Sequence, residues 1–209
     1  MWERDISVDI IDTWFSTMSS TGWMAREQIR GAEQIAQVPP QFLTQDKLVA
    51  NPPTFIYAIE NVMKYYKFFA ERKGSQYVNA FLKKCFDKLG LWYEWFEIYQ
   101  TNRDHKSFQW YGRDGAHNFP SGFDDLPRGM TPSIYERHLD LYYWVVEIMK
   151  TLRGLSEIFD VELVKHFENK IQKMNEDLEK MYFDESTGIY CDYLGPVERR
   201  RLQTYSDGD

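Results

Sequence analysis

Apolar residues recur every three or four positions along most of this chain, and that spacing restricts its fold more than any other feature. Because residues four apart lie on one face of a helix, the spacing predicts amphipathic helices rather than strands. About five helices are predicted: Ile6 to Met18, Phe55 to Phe69, Val78 to Tyr99, Leu141 to Phe159 and Val164 to Met181. The segment 188–193 is the one candidate for a short strand, after a turn at 184–188. The chain is therefore predicted to be all-α.

Short and long connections alternate between these predicted helices. The second helix joins the third through residues 73–75 only, and the fourth joins the fifth around Asp160. The segment 22–51, between the first and second helices, and the segment 102–131, between the third and fourth, are each about thirty residues long. Loops of such length in a compact domain are usually functional or disordered, and the Trp, Phe, Pro and Gly content of these two argues against disorder. In a run of antiparallel hairpins, alternate connections lie at the same end, so both long loops should meet on one face.

That arrangement is the layout of an (α/α)6 toroid, whose ligand site lies at the long-loop end. The chain supplies fewer helices than a closed ring of six hairpins contains. We therefore interpret residues 1–209 as one partial toroid, an incomplete barrel without a second domain.

Composition excludes several classes of function. Lys and Arg total 25 and Asp and Glu total 32, and a net charge of −7 argues against a nucleic-acid partner. No apolar run approaches the roughly 20 residues that span a bilayer, so no membrane contact is expected from this segment. No P-loop, GxGxxG or HExxH pattern is present, and we expect no cofactor and no metal. Cys85 and Cys191 lack CxxC spacing and could form a disulfide or remain free thiols.

Aromatic residues make up 17% of the chain, including seven Trp, and core packing does not require so many. Trp rings offer flat faces on which ligands, sugars included, can stack. Trp23 in the first long loop (22–51) and Trp110 in the second long loop (102–131) are candidates for such a role.

The second long loop also contains adjacent carboxylates, Asp124 and Asp125, followed by Arg128. Adjacent acids repel, so one of them keeps its proton to higher pH when rings also desolvate it. A protonated carboxyl near neutral pH is what a general acid needs. Arg128 could hold the other acid ionised. The alternative is a solvated Asp-Asp turn capped by arginine.

In the first long loop, Glu27 and Gln45 could exchange hydrogen bonds with hydroxyl groups, and Asn51 lies at a predicted helix entrance. The alternative is a packed loop in which Arg26 and Glu27 form a salt bridge.

Thr131-Pro132 supply an N-cap and a first-turn proline for the fourth helix. With that start, Glu136 and Asp140 are expected to share one helix face. Glu136 could then bind a sugar hydroxyl or a loop arginine, or simply complement the helix dipole. His138 is interpreted as a hydrogen-bonded structural histidine.

Five strings, in order and at fitting spacings, resemble the mannosyl-oligosaccharide glucosidases of glycoside hydrolase family 63. The resemblance extends from Trp2 to about Tyr193. The strings are Gly22-Trp23 with Arg26-Glu27-Gln28, Val38-Pro39 with Phe42, Ala50-Asn51-Pro52-Pro53-Thr54, Ser121-Gly122-Phe123-Asp124-Asp125-Leu126-Pro127-Arg128, and Glu136-Arg137-His138-Leu139-Asp140-Leu141.

The resemblance implies an (α/α)6 barrel that removes, with inversion, the terminal α-1,2-linked glucose of the triglucosylated N-glycan precursor in the endoplasmic reticulum lumen. It implies that Asp124 is the general acid, that Asp125 and Arg128 orient this acid and bind sugar hydroxyls, and that Glu136 contributes to the site. The predicted substrate-binding residues are Trp23, Arg26, Glu27, Gln45, Asn51, Trp110, Asp125, Arg128 and Glu136.

The chain also departs from the family pattern. The family continues with Arg-Cys-Trp where this chain has Tyr142-Tyr143-Trp144. The family's general base is a Glu beyond a Tyr-Trp-Arg-Gly string, and this chain contains neither; the family's membrane anchor and β-sandwich domain are missing as well. We therefore expect a fragment that carries the acid but not the base and is inactive alone. A non-catalytic helical module that binds a glycan or a protein, and a trehalase-like (α/α)6 glycosidase, are the alternatives.

Overall fold

A computed structural model describes residues 4–29, 31–43, 45–113, 118–124, 126, 128 and 132–194. The fold is an all-α partial toroid, as predicted, with one small antiparallel β-hairpin. Its elements are α1 (Arg4–Ser16), α2 (Gly31–Gln37), α3 (Pro40–Leu43), α4 (Phe55–Lys64), α5 (Tyr66–Lys73), α6 (Ser75–Tyr99), a 3-10 helix (Phe119–Ser121), α7 (Leu139–Phe159), α8 (Val161–Tyr182), β1 (Phe183–Asp184) and β2 (Ile189–Tyr190).

The predicted second helix is wrong in one respect, because the structure divides it into α4 and α5. Tyr65 separates them with φ −108° and ψ 32°, which are not helical values. Periodicity does not detect the break, since Tyr66 and Phe69 keep the helical spacing on its far side. The helices α2 and α3 inside the first long loop were also not predicted.

The start predicted for the fourth helix is wrong too, because α7 begins at Leu139. The backbone at Arg137 instead forms an isolated antiparallel bridge with Tyr193, through hydrogen bonds of 2.7 and 3.0 Å. Glu136 therefore precedes the helix and does not share a helix face with Asp140. Thr131, the predicted N-cap, lies outside the described residues.

The core lies where α7 packs between α6 and α8, with α1 and α4 closing its other side. Most of the apolar residues whose spacing predicted the helices are buried, and Phe15, Ile59, Leu89 and Val145 have no exposed surface. The prediction is wrong for Ile6 and Ile10 in α1, which are each 48% exposed, because the buried face of α1 is formed by Val8, Ile11 and Phe15. Both cysteines are free. Among the described residues, no helix combines the length and apolarity that crossing a membrane requires.

The two long loops contact each other at one end of the helices, as the alternation of connections predicted. The side chain of Gln100, at the end of α6, links them, because its Nε2 donates to the Leu48 carbonyl at 2.8 Å and its Oε1 accepts from the Tyr111 N–H at 3.1 Å. Farther along, Arg26 Nη1 donates to the Phe119 carbonyl at 2.9 Å. The short turns, at Gly74 and Asp160, connect α5 to α6 and α7 to α8.

Candidate active site

A cavity of about 470 Å³ opens between the two long loops. Six of the residues predicted for the site lie around it: Trp23, Arg26, Glu27, Gln45, Asn51 and Asp124. Its remaining lining comes from Asp46, Val49, Gly112, Phe119 and Pro120. The structure therefore brings together residues that are up to a hundred positions apart in the chain.

The first long loop holds its shape through side chains that bond its own backbone. The Gln45 amide both donates to the Glu27 carbonyl at 2.9 Å and accepts from the Glu27 N–H at 3.1 Å. Asn51 Nδ2 donates to the Met24 carbonyl at 3.1 Å, and Trp23 Nε1 donates to the Val49 carbonyl at 3.0 Å. The polar groups of these three residues, all predicted to bind substrate, therefore hold the cavity wall in shape.

Residues 118–124 form a compact turn, here called the acid turn, that carries Asp124 to the cavity. The N–H and hydroxyl of Ser121 both donate to the Asn118 carbonyl, at 3.0 and 2.8 Å. Gly122 takes a left-handed φ of 73°, which glycine adopts without strain. The Asn118 N–H then donates to the Asp124 carbonyl at 3.2 Å, so the turn closes on itself.

The two carboxylate oxygens of Asp124 have different surroundings. Oδ2 lies 3.8 Å from Arg26 Nη2, and both side chains are a little under half exposed, at 43% and 45%. Oδ1 is buried and has no hydrogen-bond partner among the described residues. A buried polar oxygen without a partner is costly and uncommon in native proteins. Because the side chain is nevertheless 43% exposed, Oδ2 is the oxygen that a ligand in the cavity can reach.

Trp110, Arg128 and Glu136 do not line the cavity. Trp110 is 1% exposed, so its ring faces are not available for stacking, and its Nε1 donates to Asp140 Oδ2 at 3.0 Å. The described partners of Arg128 are Asp140, Asp192 and Asn118. Asp125, which was predicted to orient Asp124 together with Arg128, lies outside the described residues.

Glu136 belongs to a buried cluster whose members do not line the cavity. Its Oε1 accepts from Arg113 Nη2 at 2.5 Å and from the Ser133 N–H at 3.1 Å, and its Oε2 lies 2.9 Å from His138 Nε2. Burial by itself would raise the pKa of Glu136, but the hydrogen bond from His138 and the charge of Arg113 outweigh it and lower that pKa. Glu136 is therefore an ionised structural group.

His138 is the structural histidine that the sequence predicted. Its Nδ1 accepts from the Trp110 N–H at 2.9 Å, so the ring proton lies on Nε2 and is donated to Glu136. Burial, more than any other effect, lowers the pKa of His138. The neutral ring ties the second long loop to the start of α7.

Asp192 was missed by the sequence analysis. It follows β2 and reaches Arg128 from 64 positions away along the chain. The segment 188–193 was predicted as a short strand, but the local sequence does not indicate that the Asp192 carboxylate accepts a hydrogen bond from Arg128. Among the described residues, no group of three His, Cys, Asp or Glu is arranged to hold a metal ion.

Comparison with known proteins gives the following matches. A family model described as the glycosyl hydrolase family 63 C-terminal domain matches residues 1–208. Alpha-glucosidase 2 of Arabidopsis thaliana is 31% identical over 96% of this chain and 27% of its own length. Mannosyl-oligosaccharide glucosidase GCS1 of the same plant is 32% identical over 96% of this chain and 25% of its own length. A probable mannosyl-oligosaccharide glucosidase of Schizosaccharomyces pombe is 30% identical over 92% of this chain and 28% of its own length. The chain thus spans about a quarter of the length of these relatives.

Proposed function

The chain belongs to glycosyl hydrolase family 63, and from this premise we propose that it contributes the general acid and part of the sugar site of an inverting α-glucosidase. The substrate is the triglucosylated N-glycan precursor, whose terminal α-1,2-linked glucose is removed in the endoplasmic reticulum lumen. The observation that carries the proposal is the position of the Asp124 carboxyl, which lines the cavity together with Trp23 and Arg26 and is 43% exposed.

In this reaction Asp124 gives its proton to the glycosidic oxygen while the bond from that oxygen to C1 of glucose breaks. A water molecule attacks C1 from the opposite face, and a second carboxylate takes the proton of that water, so the released glucose has the inverted configuration. The two carboxyls of inverting enzymes lie about 6.5–9.5 Å apart, which leaves room for the water.

The cavity wall supplies complementary groups for a glucose unit. The Trp23 N–H is already bonded to the Val49 carbonyl, so its contribution is the ring, on which the apolar face of a sugar can stack. Gln45 holds only the backbone of Glu27, which leaves the exposed Glu27 carboxylate at the cavity edge to accept from sugar hydroxyls. Arg26 provides a cation close to the acid turn.

Binding can be tested on this chain by calorimetry with three glucose disaccharides, linked α-1,2, α-1,4 and α,α-1,1. We expect the α-1,2 disaccharide to bind most tightly, and Trp23→Ala to weaken its binding at least tenfold. The exposed Tyr57→Ala on α4 is the matched control. Tighter binding of the α,α-1,1 disaccharide would favour the trehalase-like alternative.

The role of Asp124 can be tested independently of a general base by supplying azide. Azide can attack C1 in place of the activated water, and it would yield β-glucosyl azide from the α-1,2 disaccharide if Asp124 protonates the leaving oxygen. We expect this product from the unsubstituted chain and from Asp87→Asn, an exposed carboxylate on α6. We expect none from Asp124→Asn, which should still bind the disaccharide. Equal product from Asp124→Asn would remove the acid role from Asp124, and binding without any product would favour a non-catalytic glycan-binding module.

A further inference from the structure

We infer that Asp192 is a positioning residue for the acid turn, acting through Arg128 and Asn118. The inference rests on the proposed function, since it concerns how the carboxyl of Asp124 is held at the cavity. The residues involved come from four separate parts of the chain: the acid turn, Arg128, the start of α7 and the segment that follows β2.

Asp192 uses its two carboxylate oxygens on two different elements. Oδ2 accepts from Arg128 Nε at 2.7 Å, and Oδ1 accepts from the N–H of Leu139, the first residue of α7, at 2.8 Å. An N–H in the first turn of a helix has no partner within the helix, and a carboxylate there also meets the positive end of the helix dipole. Asp192 thereby fixes Arg128 relative to the start of α7.

Arg128 transmits that position to the acid turn. Its side chain is 2% exposed, and its Nη1 donates to Asn118 Oδ1 at 3.1 Å. Asn118 is itself buried and closes the acid turn through the bond from its N–H to the Asp124 carbonyl. One planar guanidinium therefore joins Asp192 to the residue on which the acid turn closes.

The positive charge of Arg128 is neutralised without Asp124. Arg128 Nη2 also donates to Asp140 Oδ1 at 2.6 Å, so two carboxylates, those of Asp140 and Asp192, flank the one guanidinium. Loss of the Asp192 charge leaves Arg128 with one carboxylate partner and a buried Nε–H whose acceptor is weakened. We therefore expect the Arg128 side chain to change position, and Asn118, to which it donates a hydrogen bond, to shift with it.

The test uses NMR spectra of the whole chain, so it does not depend on hydrolysis. Asp192→Asn keeps the size of the side chain, but its amide group can satisfy only one of the two donors, Arg128 Nε–H or Leu139 N–H. We expect shifts in the amide resonances of 118–124 and in the carboxyl carbon resonance of Asp124. The control Glu185→Gln, an exposed carboxylate in the turn of the same hairpin, should leave these resonances unchanged.

Arg128→Lys provides a second variant if Asp192→Asn fails to fold. A lysine keeps the charge, but one ammonium group cannot reproduce the fork that reaches three partners. We expect Arg128→Lys to shift the same resonances. The double variant Asp192→Asn/Arg128→Lys should shift them by less than the sum of the two single variants, because both substitutions break the same connection between Asp192 and Arg128.

Two results would overturn the inference. One is a lowered melting temperature for Asp192→Asn with unchanged 118–124 and Asp124 resonances, which would make Asp192 a helix cap alone. The other is fully additive shifts in the double variant. Failure of the proposed function has a different signature, because the unsubstituted chain would then bind no α-1,2 disaccharide while the coupling between Asp192 and the acid turn remained.

Discussion

Replacing Glu136 by Gln should destabilise the chain strongly, although the two side chains have the same size. Gln can still accept from Arg113 and Ser133, but it removes the negative charge beside a guanidinium whose side chain is only 2% exposed. Its NH2 group then faces His138 Nε2–H, and the ring cannot move that proton to Nδ1, because Nδ1 accepts from the Trp110 N–H. Removing one member of a buried ion pair typically costs about 3–5 kcal/mol, and we expect a loss in that range.

Urea denaturation followed by Trp fluorescence measures this loss as a change in the free energy of unfolding. At slopes of about 1–3 kcal/mol per molar urea, the midpoint should fall by about 1 M or more. Glu94→Gln, an exposed site on α6, is the control and should stay within about 0.5 kcal/mol. A loss for Glu136→Gln of less than about 1 kcal/mol would refute the reasoning, since it would mean that the buried charge contributes nothing net.

The same variant tests the sign of the pH dependence. Because the pKa of Glu136 is lowered in the folded chain, the stability that its charge contributes is present above the unfolded value, about 4.3, and is lost as pH falls through the folded value. The difference in stability between the unsubstituted chain and Glu136→Gln should therefore shrink on acidification below about pH 4. A difference that stays constant down to pH 3 would show that Glu136 does not titrate as described.

Two further predictions concern the cavity and its support. Gly112 has φ 88°, and a Cβ there would lie 2.3 Å from Val49 Cγ2. Gly112→Ala should lower the free energy of unfolding by at least the roughly 1–2 kcal/mol that a left-handed conformation costs a non-glycine residue. By displacing Val49, which lines the cavity, it should also weaken disaccharide binding in calorimetry. Gly31→Ala, also at positive φ but with open space around it, should cost stability without affecting binding. His138 is buried and its pKa is lowered in the folded chain. Below about pH 6.5 its imidazole therefore becomes protonated in the unfolded chain but stays neutral in the folded chain. The free energy of unfolding should accordingly fall between pH 7.5 and 5.5, and His138→Gln should remove that component of the slope; an unchanged slope would contradict it.

The positions of the long helices could be predicted from the sequence because each of them buries one face, and a buried face produces an apolar repeat in the sequence. The short helix α2 has no buried residue and so leaves no such repeat. The start of α7 could not be predicted in this way. Thr131-Pro132 is a valid local start signal, but Arg137 pairs with Tyr193 and Asp192 bonds the Leu139 N–H. Both contacts come from a segment more than fifty positions away, and they determine where the helix begins.

The same limit explains the residues predicted for the site. Trp23 and Asp124 lie at one cavity because the alternation of loop lengths places both long loops at one end. Trp110 and Glu136 have side chains of the kinds that bind sugars, yet both are buried, since an indole N–H or a carboxylate serves equally well to satisfy a polar network inside the protein.

The sequence by itself determined the helical class, the meeting of the two long loops and the relationship to glycosyl hydrolase family 63, which the family match confirms. These properties follow from the spacing of apolar residues, the lengths of the connections and five short motifs, none of which depends on contacts between distant residues. Only the tertiary structure decided which carboxylates face the cavity and which neutralise buried arginines. That division depends on where each side chain points after the chain has folded, and residues far apart in sequence, such as Asp192 and Arg128, meet only then.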